Sequence, residues 1–220
     1  MTLNEFINFL PLSVKALLAI GVVIGAITFR SLDGLNRYLY FYILLMAVFE
    51  AASSILLEIS NSNMIVLPIY CAVEVMYFTF LYNIYLLSKQ NNILKILSFG
   101  ALFYIIFETI YYFVLNDINV KFYQPYAKVA DNFVIIMYAL YFIYEKVNLY
   151  NEQRWDNFRL NIIVLIAFTL TLIVFLPFNF LVNEETGIKF IFWLVNIVVI
   201  LLFYGYLIWH IWRNGRIRKL

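Results

Sequence analysis

Apolar residues run along this chain in long stretches broken by short polar punctuation, and the lengths of those stretches set the first expectation. A helix rises about 1.5 Å per residue and bilayer hydrocarbon is about 30 Å thick, so a crossing needs roughly 20 apolar residues. Seven runs meet that requirement: 12–29, 38–59, 64–87, 93–115, 126–144, 160–182 and 189–212. The breaks between them are polar. "RSLDGLNR" separates the first pair, Ser60–Asn63 makes a tight hairpin, "SKQNN" follows the third run and Asn183–Gly187 divides the last two. Pro125 stands where the fifth helix should begin, a position that proline tolerates. The pattern predicts an all-α membrane protein, a single domain over residues 1–220 folded as one compact bundle of seven transmembrane helices.

Composition agrees with this reading. The chain is 65% hydrophobic and only 13% charged, whereas soluble domains carry about a quarter charged residues. A net charge of +2 is too small to point to nucleic acid. The single cysteine, Cys71, excludes an internal disulfide and a cysteine-built metal site, and reads as a packing residue. The opening segment "MTLNEFINFLPLSVK" has neither a basic n-region nor a small-residue cleavage site, so the first run is expected to be retained as a helix.

The basic residues predict direction. Arg30, Arg37, Lys89, Lys95, Lys146, Arg154, Arg159, Arg213, Arg216, Arg218 and Lys219 gather on one side of the seven crossings, against Lys15, Lys121, Lys128 and Lys189 on the other. Lysine and arginine concentrate on the cytoplasmic side, so the N-terminus is expected outside and the C-terminus in the cytoplasm. "GVVIG" at Gly21–Gly25 is a GxxxG motif, which lets helices approach closely inside a bundle or between two copies. Packing inside the bundle is the favoured use here, with a homodimer as the other.

Candidate chemistry comes from acids in apolar runs. Glu50 lies near the middle of the second helix and Glu74 near the middle of the third. Glu108 and Asp131 fall in the outer parts of the fourth and fifth. A central charge costs about 2.5–3.5 kcal/mol on insertion scales, so four would cost on the order of 10 kcal/mol if left bare. Tyrosines at helical spacing offer hydrogen bonds: Tyr70 and Tyr77 around Glu74, and Tyr104, Tyr111 and Tyr112 around Glu108. Lys128, three residues before Asp131, shares its side of the fifth helix and is the one cation near the four acids. Glu50 and Glu74, the deepest, are therefore expected to be protonated at neutral pH unless a cation is bound, with Asp131 ionised beside Lys128. On that basis Glu74→Gln should be nearly neutral for folding and Asp131→Asn damaging.

With Asn196 of the seventh helix, these residues describe a pocket opening outward and closing inward. Pro177 would kink the sixth helix at the same level and free backbone carbonyls. The bland alternative is that neutral carboxylic acids bridge helices by hydrogen bonds. His210, between Trp209 and Trp212, reads as an interfacial residue. No catalytic set, metal-ligand cluster or cofactor motif is found. Microbial rhodopsins need a lysine in the middle of helix 7, and here only Lys189 stands at that helix's start; the histidine-built zinc site of adiponectin-receptor-type hydrolases cannot come from one histidine.

The acid in "AVFEAASSIL", the Tyr-x3-Glu-x2-Tyr run in "YCAVEVMY" and the segments "FWLVNIVV" and "LIWHIW" resemble a family of small bacterial seven-helix integral membrane proteins over residues 38–212. The resemblance implies the fold and a bacterial cytoplasmic membrane, and no activity. The leading functional expectation is a receptor-like sensor that binds a small, cationic or amphiphilic ligand in the outer pocket. It would signal to a separate cytoplasmic partner through loop 5–6 and the basic tail. The alternatives are a proton- or cation-coupled small-solute transporter, and a cofactor-free membrane enzyme acting on a lipid.

Overall fold

The computed structural model describes residues 3–115, 126–148, 157–181 and 188–217. Among these the chain forms seven helices: α1 Leu3–Thr28, α2 Gly34–Ser60, α3 Val66–Leu81, α4 Asn92–Ile110, α5 Tyr126–Asn148, α6 Phe158–Leu181 and α7 Ile188–Ile217. All seven are long and apolar enough to cross a membrane, which makes this an integral membrane protein in contact with lipid. Pro125, Lys121, Arg154, Arg218, Lys219, the 183–187 break and most of loop 5–6 lie outside the described residues.

The predicted runs and the helices differ mainly at their ends. α1 starts well before residue 12 and continues through Pro11, since an internal proline removes one backbone bond without having to end the helix. α7 runs past residue 212 and carries Arg216 in its last turn, where a cation complements the helix dipole. α6 passes through Pro177. Side-chain caps set two starts: Asp33 accepts the Asn36 N–H at 2.8 Å, and Asn91 accepts from Ile93 and Leu94. Asn61, with φ at 55°, closes α2 in the left-handed region that asparagine tolerates.

Five-residue π-turns, Tyr82–Leu86 and Tyr111–Leu115, extend α3 and α4. A π-turn widens the helix, so successive residues can share a face. Tyr82 and Asn83, both buried, lie in the first of these turns.

The helices fall into two compact units. One comprises α1, α2 and α7 from Leu194 onward. Here a Cβ at Gly21 would meet Ile43 and Ile208, one at Gly25 would meet the Tyr40 ring, and Gly215 lies against Thr28. The GxxxG face is therefore filled within the same chain. The Ser31 hydroxyl donates to the Gly215 carbonyl at 2.8 Å and the Asn214 amide to Asn36 at 3.2 Å, joining polar positions of this unit. Tyr42 packs its ring edge-on against Phe203 and Tyr204.

The other unit is Met64–Trp193, with α3, α4, α5 and α6. Its core is Val75, Phe78, Leu81, Ile105, Val134, Ile135, Phe142, Leu160 and Val164. α4 leaves Ile96, Phe99, Phe103 and Phe107 exposed, a stripe suited to lipid. Every charged residue buried among the described ones belongs to this second unit.

Candidate functional site

The buried charges meet at one point. Tyr70 and Glu74, one turn apart on α3, face Lys128 and Asp131, three residues apart on α5. Lys128 Nζ donates to Glu74 Oε2 at 2.5 Å and to Asp131 Oδ2 at 2.7 Å, and the Tyr70 hydroxyl donates to Glu74 Oε1 at 2.7 Å. The ammonium also lies over the Tyr70 ring, 4.6 Å from its centroid, and over Phe168 of α6 at 5.5 Å. Such faces attract a desolvated cation. Relative exposure is 1% for Glu74, 5% for Lys128 and 0% for Asp131, so these are charge-assisted bonds in a dry interior.

The charge count of this cluster is its main chemical property. Two ionised carboxylates around one ammonium leave one negative charge over, and a single added proton makes the cluster neutral. The Glu74 and Asp131 carboxylates are held together by their common bond to the Lys128 ammonium. Asp131 Oδ1 is buried with no hydrogen-bond partner among the described residues. Cys71, fully buried beside Tyr70, lies within electrostatic reach of Lys128, Asp131, Glu74 and Glu108. Among the described residues no group of three or more His, Cys, Asp or Glu side chains is placed to hold a metal ion.

Spacing pairs Lys128 with Asp131 and leaves Glu74 either protonated or in need of a cation; in the structure Lys128 is that cation as well. A single helix displays its i,i+3 pair in the sequence, but the approach of α3 to α5 is a tertiary event that spacing does not encode. The shared ammonium removes the reason for treating Glu74 as a neutral acid without a cation.

The other predicted positions are divided between the two units. Glu108 is buried on α4 and interacts with Tyr104, itself 40% exposed. Tyr77 is half-buried with its ring edge against Phe78. Tyr111 is 45% exposed and stacks on Phe107. Glu50 and Asn196, both half-buried, belong to the other compact unit, and Asn196 Oδ1 has no hydrogen-bond partner among the described residues. Glu74, Lys128 and Asp131 themselves are closely packed. A groove of about 400 Å3 in the same unit is lined by Tyr104, Tyr126, Val129, Ala130, Phe133, Leu172 and Leu176, apolar apart from its two phenols.

Sequence reading missed a second buried polar group in the same unit. Thr79 donates to Ser98 at 2.9 Å, the Ser98 and Tyr138 hydroxyls are 3.3 Å apart, and Asn83 donates to Tyr138 at 3.0 Å. Tyr82 stacks on Tyr138 and donates to Asn161 at 2.8 Å. Asn161 in turn donates to the Ala139 carbonyl at 3.1 Å. Asn132, next to Asp131, is fully buried, and neither side-chain polar atom has a hydrogen-bond partner among the described residues. The available signal was asparagine and serine inside apolar helical runs, where every buried polar atom needs a partner.

Fold and site together define a polytopic helical membrane protein with an internal charge cluster. Set against family models, curated proteins and solved structures, the chain matches none. The particular assignment therefore rests on geometry.

Proposed function

We propose that this chain is a proton-coupled membrane transporter for a small solute, with Glu74, Lys128 and Asp131 as the coupling site. The observation that carries the reading is the buried pair of carboxylates sharing one ammonium. Such a cluster can pass between an anionic and a proton-neutralised state by one proton, and ionisable groups inside a membrane protein mark ion or proton pathways. Glu74 accepts from both Lys128 and Tyr70, which favours it as the anion, while Asp131, with one oxygen unsatisfied, is better suited to hold the added proton. Cys71 stands in the field of this cluster and of Glu108, and would feel that change. In this reading the chain lies in a bacterial cytoplasmic membrane with its N-terminus outside, as its basic residues favour.

The test is a proteoliposome loaded with a pH-sensitive dye and challenged with a panel of amines, amino acids and sugars. A solute-dependent pH change in the lumen, lost in Glu74→Gln, is the expected result. Solute binding with no proton movement would count against the transporter.

A second reading, a receptor-like sensor of an amphiphile, is favoured by the groove bearing Tyr104, because that phenol also interacts with buried Glu108. An amphiphile that moved Tyr104 would reach a buried acid through one contact. Its output would pass to a separate cytoplasmic partner.

A further inference from the structure

The four-helix unit is layered along α3 and α5. Glu74, Phe78 and Tyr82 recur one turn apart on α3, so they share one face. The charged cluster forms the first layer. Phe78 and Phe168 form the second: both are buried, with ring centroids 4.9 Å apart, edge to face. Phe168 also lies against the Lys128 ammonium, so this aromatic pair abuts the cluster directly. Val75 and Ile135, both fully buried, sit at the neighbouring positions. The third layer is the network of Thr79, Ser98, Tyr138, Asn83, Tyr82 and Asn161. Eight residues of helix separate Glu74 from Tyr82, about 12 Å.

The third layer contains a run of three hydroxyls, Thr79 Oγ1 to Ser98 Oγ to Tyr138 Oη, at 2.9 and 3.3 Å, and the Leu94 carbonyl at 2.9 Å is a second acceptor for the Ser98 proton. Hydroxyls both donate and accept, so a proton can enter at one end of such a run as another leaves. It lies toward the 88–91 connection, which carries Lys89. Polar atoms without hydrogen-bond partners among the described residues are found on these same helices: Asp131 Oδ1 and both side-chain atoms of Asn132 on α5, and Asn83 Oδ1 on α3. Buried groups of this kind are where internal water binds.

We infer that the Thr79–Ser98–Tyr138 layer is a second proton-handling site, a relay between the charged cluster and the Lys89 side, and that the Phe78–Phe168 pair is the barrier that interrupts it. The inference rests on the proton-coupled reading of Glu74, Lys128 and Asp131. Two aromatic rings in edge contact exclude water and present no group that can carry a proton. A path from cluster to relay therefore opens only when the rings part and water reaches Asn132 and Asn83. No redox partner or co-reactant is needed: a proton leaves the Glu74–Asp131 pair, crosses on water and enters the hydroxyl run, while the run releases one to water on the Lys89 side.

The test measures passive proton flux in proteoliposomes under an imposed pH gradient, with no solute added. Wild-type protein should hold the gradient. Phe78→Ala should dissipate it several-fold faster, and Phe78→Val, a smaller truncation, should do so to a lesser degree. Helical content and monodisperse elution identify folded preparations, and Phe78→Val serves if Phe78→Ala does not fold. Tyr138→Phe added to the leaking variant should slow the leak towards the wild-type rate, and Glu74→Gln should do the same. A leak indifferent to Tyr138→Phe would overturn the relay, since the flux would then come from general loosening. Folded Phe78 variants that hold the gradient would also overturn it, and a persisting Glu74-dependent solute response would leave the transporter reading standing. A leak stopped by Tyr138→Phe but not by Glu74→Gln would sustain the barrier and relay, and would count against Glu74 as the coupling residue.

Discussion

At the scale of single residues, the shared ammonium makes a prediction that independent acids would not. Either Glu74 or Asp131 can keep Lys128 paired when the other is neutralised. Glu74→Gln or Asp131→Asn alone should each cost about 1 kcal/mol, the worth of one exchanged hydrogen bond. The double variant strands a buried ammonium and should cost about 3–5 kcal/mol. Thermal or denaturant unfolding in detergent gives the cycle, and the expected result is a loss well beyond the sum of the singles. Additive losses would mean that one acid alone holds the lysine. Part of this site was legible: Lys128 and Asp131 advertise their contact by spacing, as do Tyr70 and Glu74, because one helix fixes both pairs. The α3–α5 salt bridge was not, since helix spacing says which face a residue is on and not which helix it meets. The hydroxyl layer was overlooked because Ser98, Thr79 and Asn83 carry no charge and bring little cost to a hydropathy count.

At the scale of helices, the two uses of glycine separate cleanly. Gly25 lies against the Tyr40 ring, so Gly25→Val should overpack that contact and cost about 1–3 kcal/mol. Gly100 is a mid-helix glycine on α4 with open space around it. Gly100→Ala should raise stability by up to about 1 kcal/mol through helix propensity alone. Midpoints of thermal unfolding should therefore move in opposite directions for the two variants. Helix number and approximate span were readable because a membrane crossing imposes a length, and the apolar runs have it. Helix ends were less readable, since α1, α5 and α7 continue into polar residues that favour helix but carry no hydropathy signal. The π-turn after α3 had no sequence mark at all, yet it carries the buried Tyr82 and Asn83.

At the scale of the whole molecule, the proposed orientation, with the N-terminus outside, rests on the distribution of lysine and arginine and can be checked without knowing any solute. A cysteine at Ser62, between α2 and α3, should react with an impermeant reagent on intact cells, and one at Gln90, between α3 and α4, should not; the native Cys71 is buried. The reverse pattern would turn the hydroxyl layer toward the outside. The central claim is that Glu74 and Asp131 share one exchangeable proton over Lys128. Difference infrared spectra of the protein in lipid, recorded between alkaline and acid pH, read protonated carboxyl groups directly. A carboxyl C=O band should grow on acidification, shift in either single variant and be lost in the Glu74→Gln, Asp131→Asn double variant. An identical band in the double variant and the wild type would place the proton elsewhere and contradict the account.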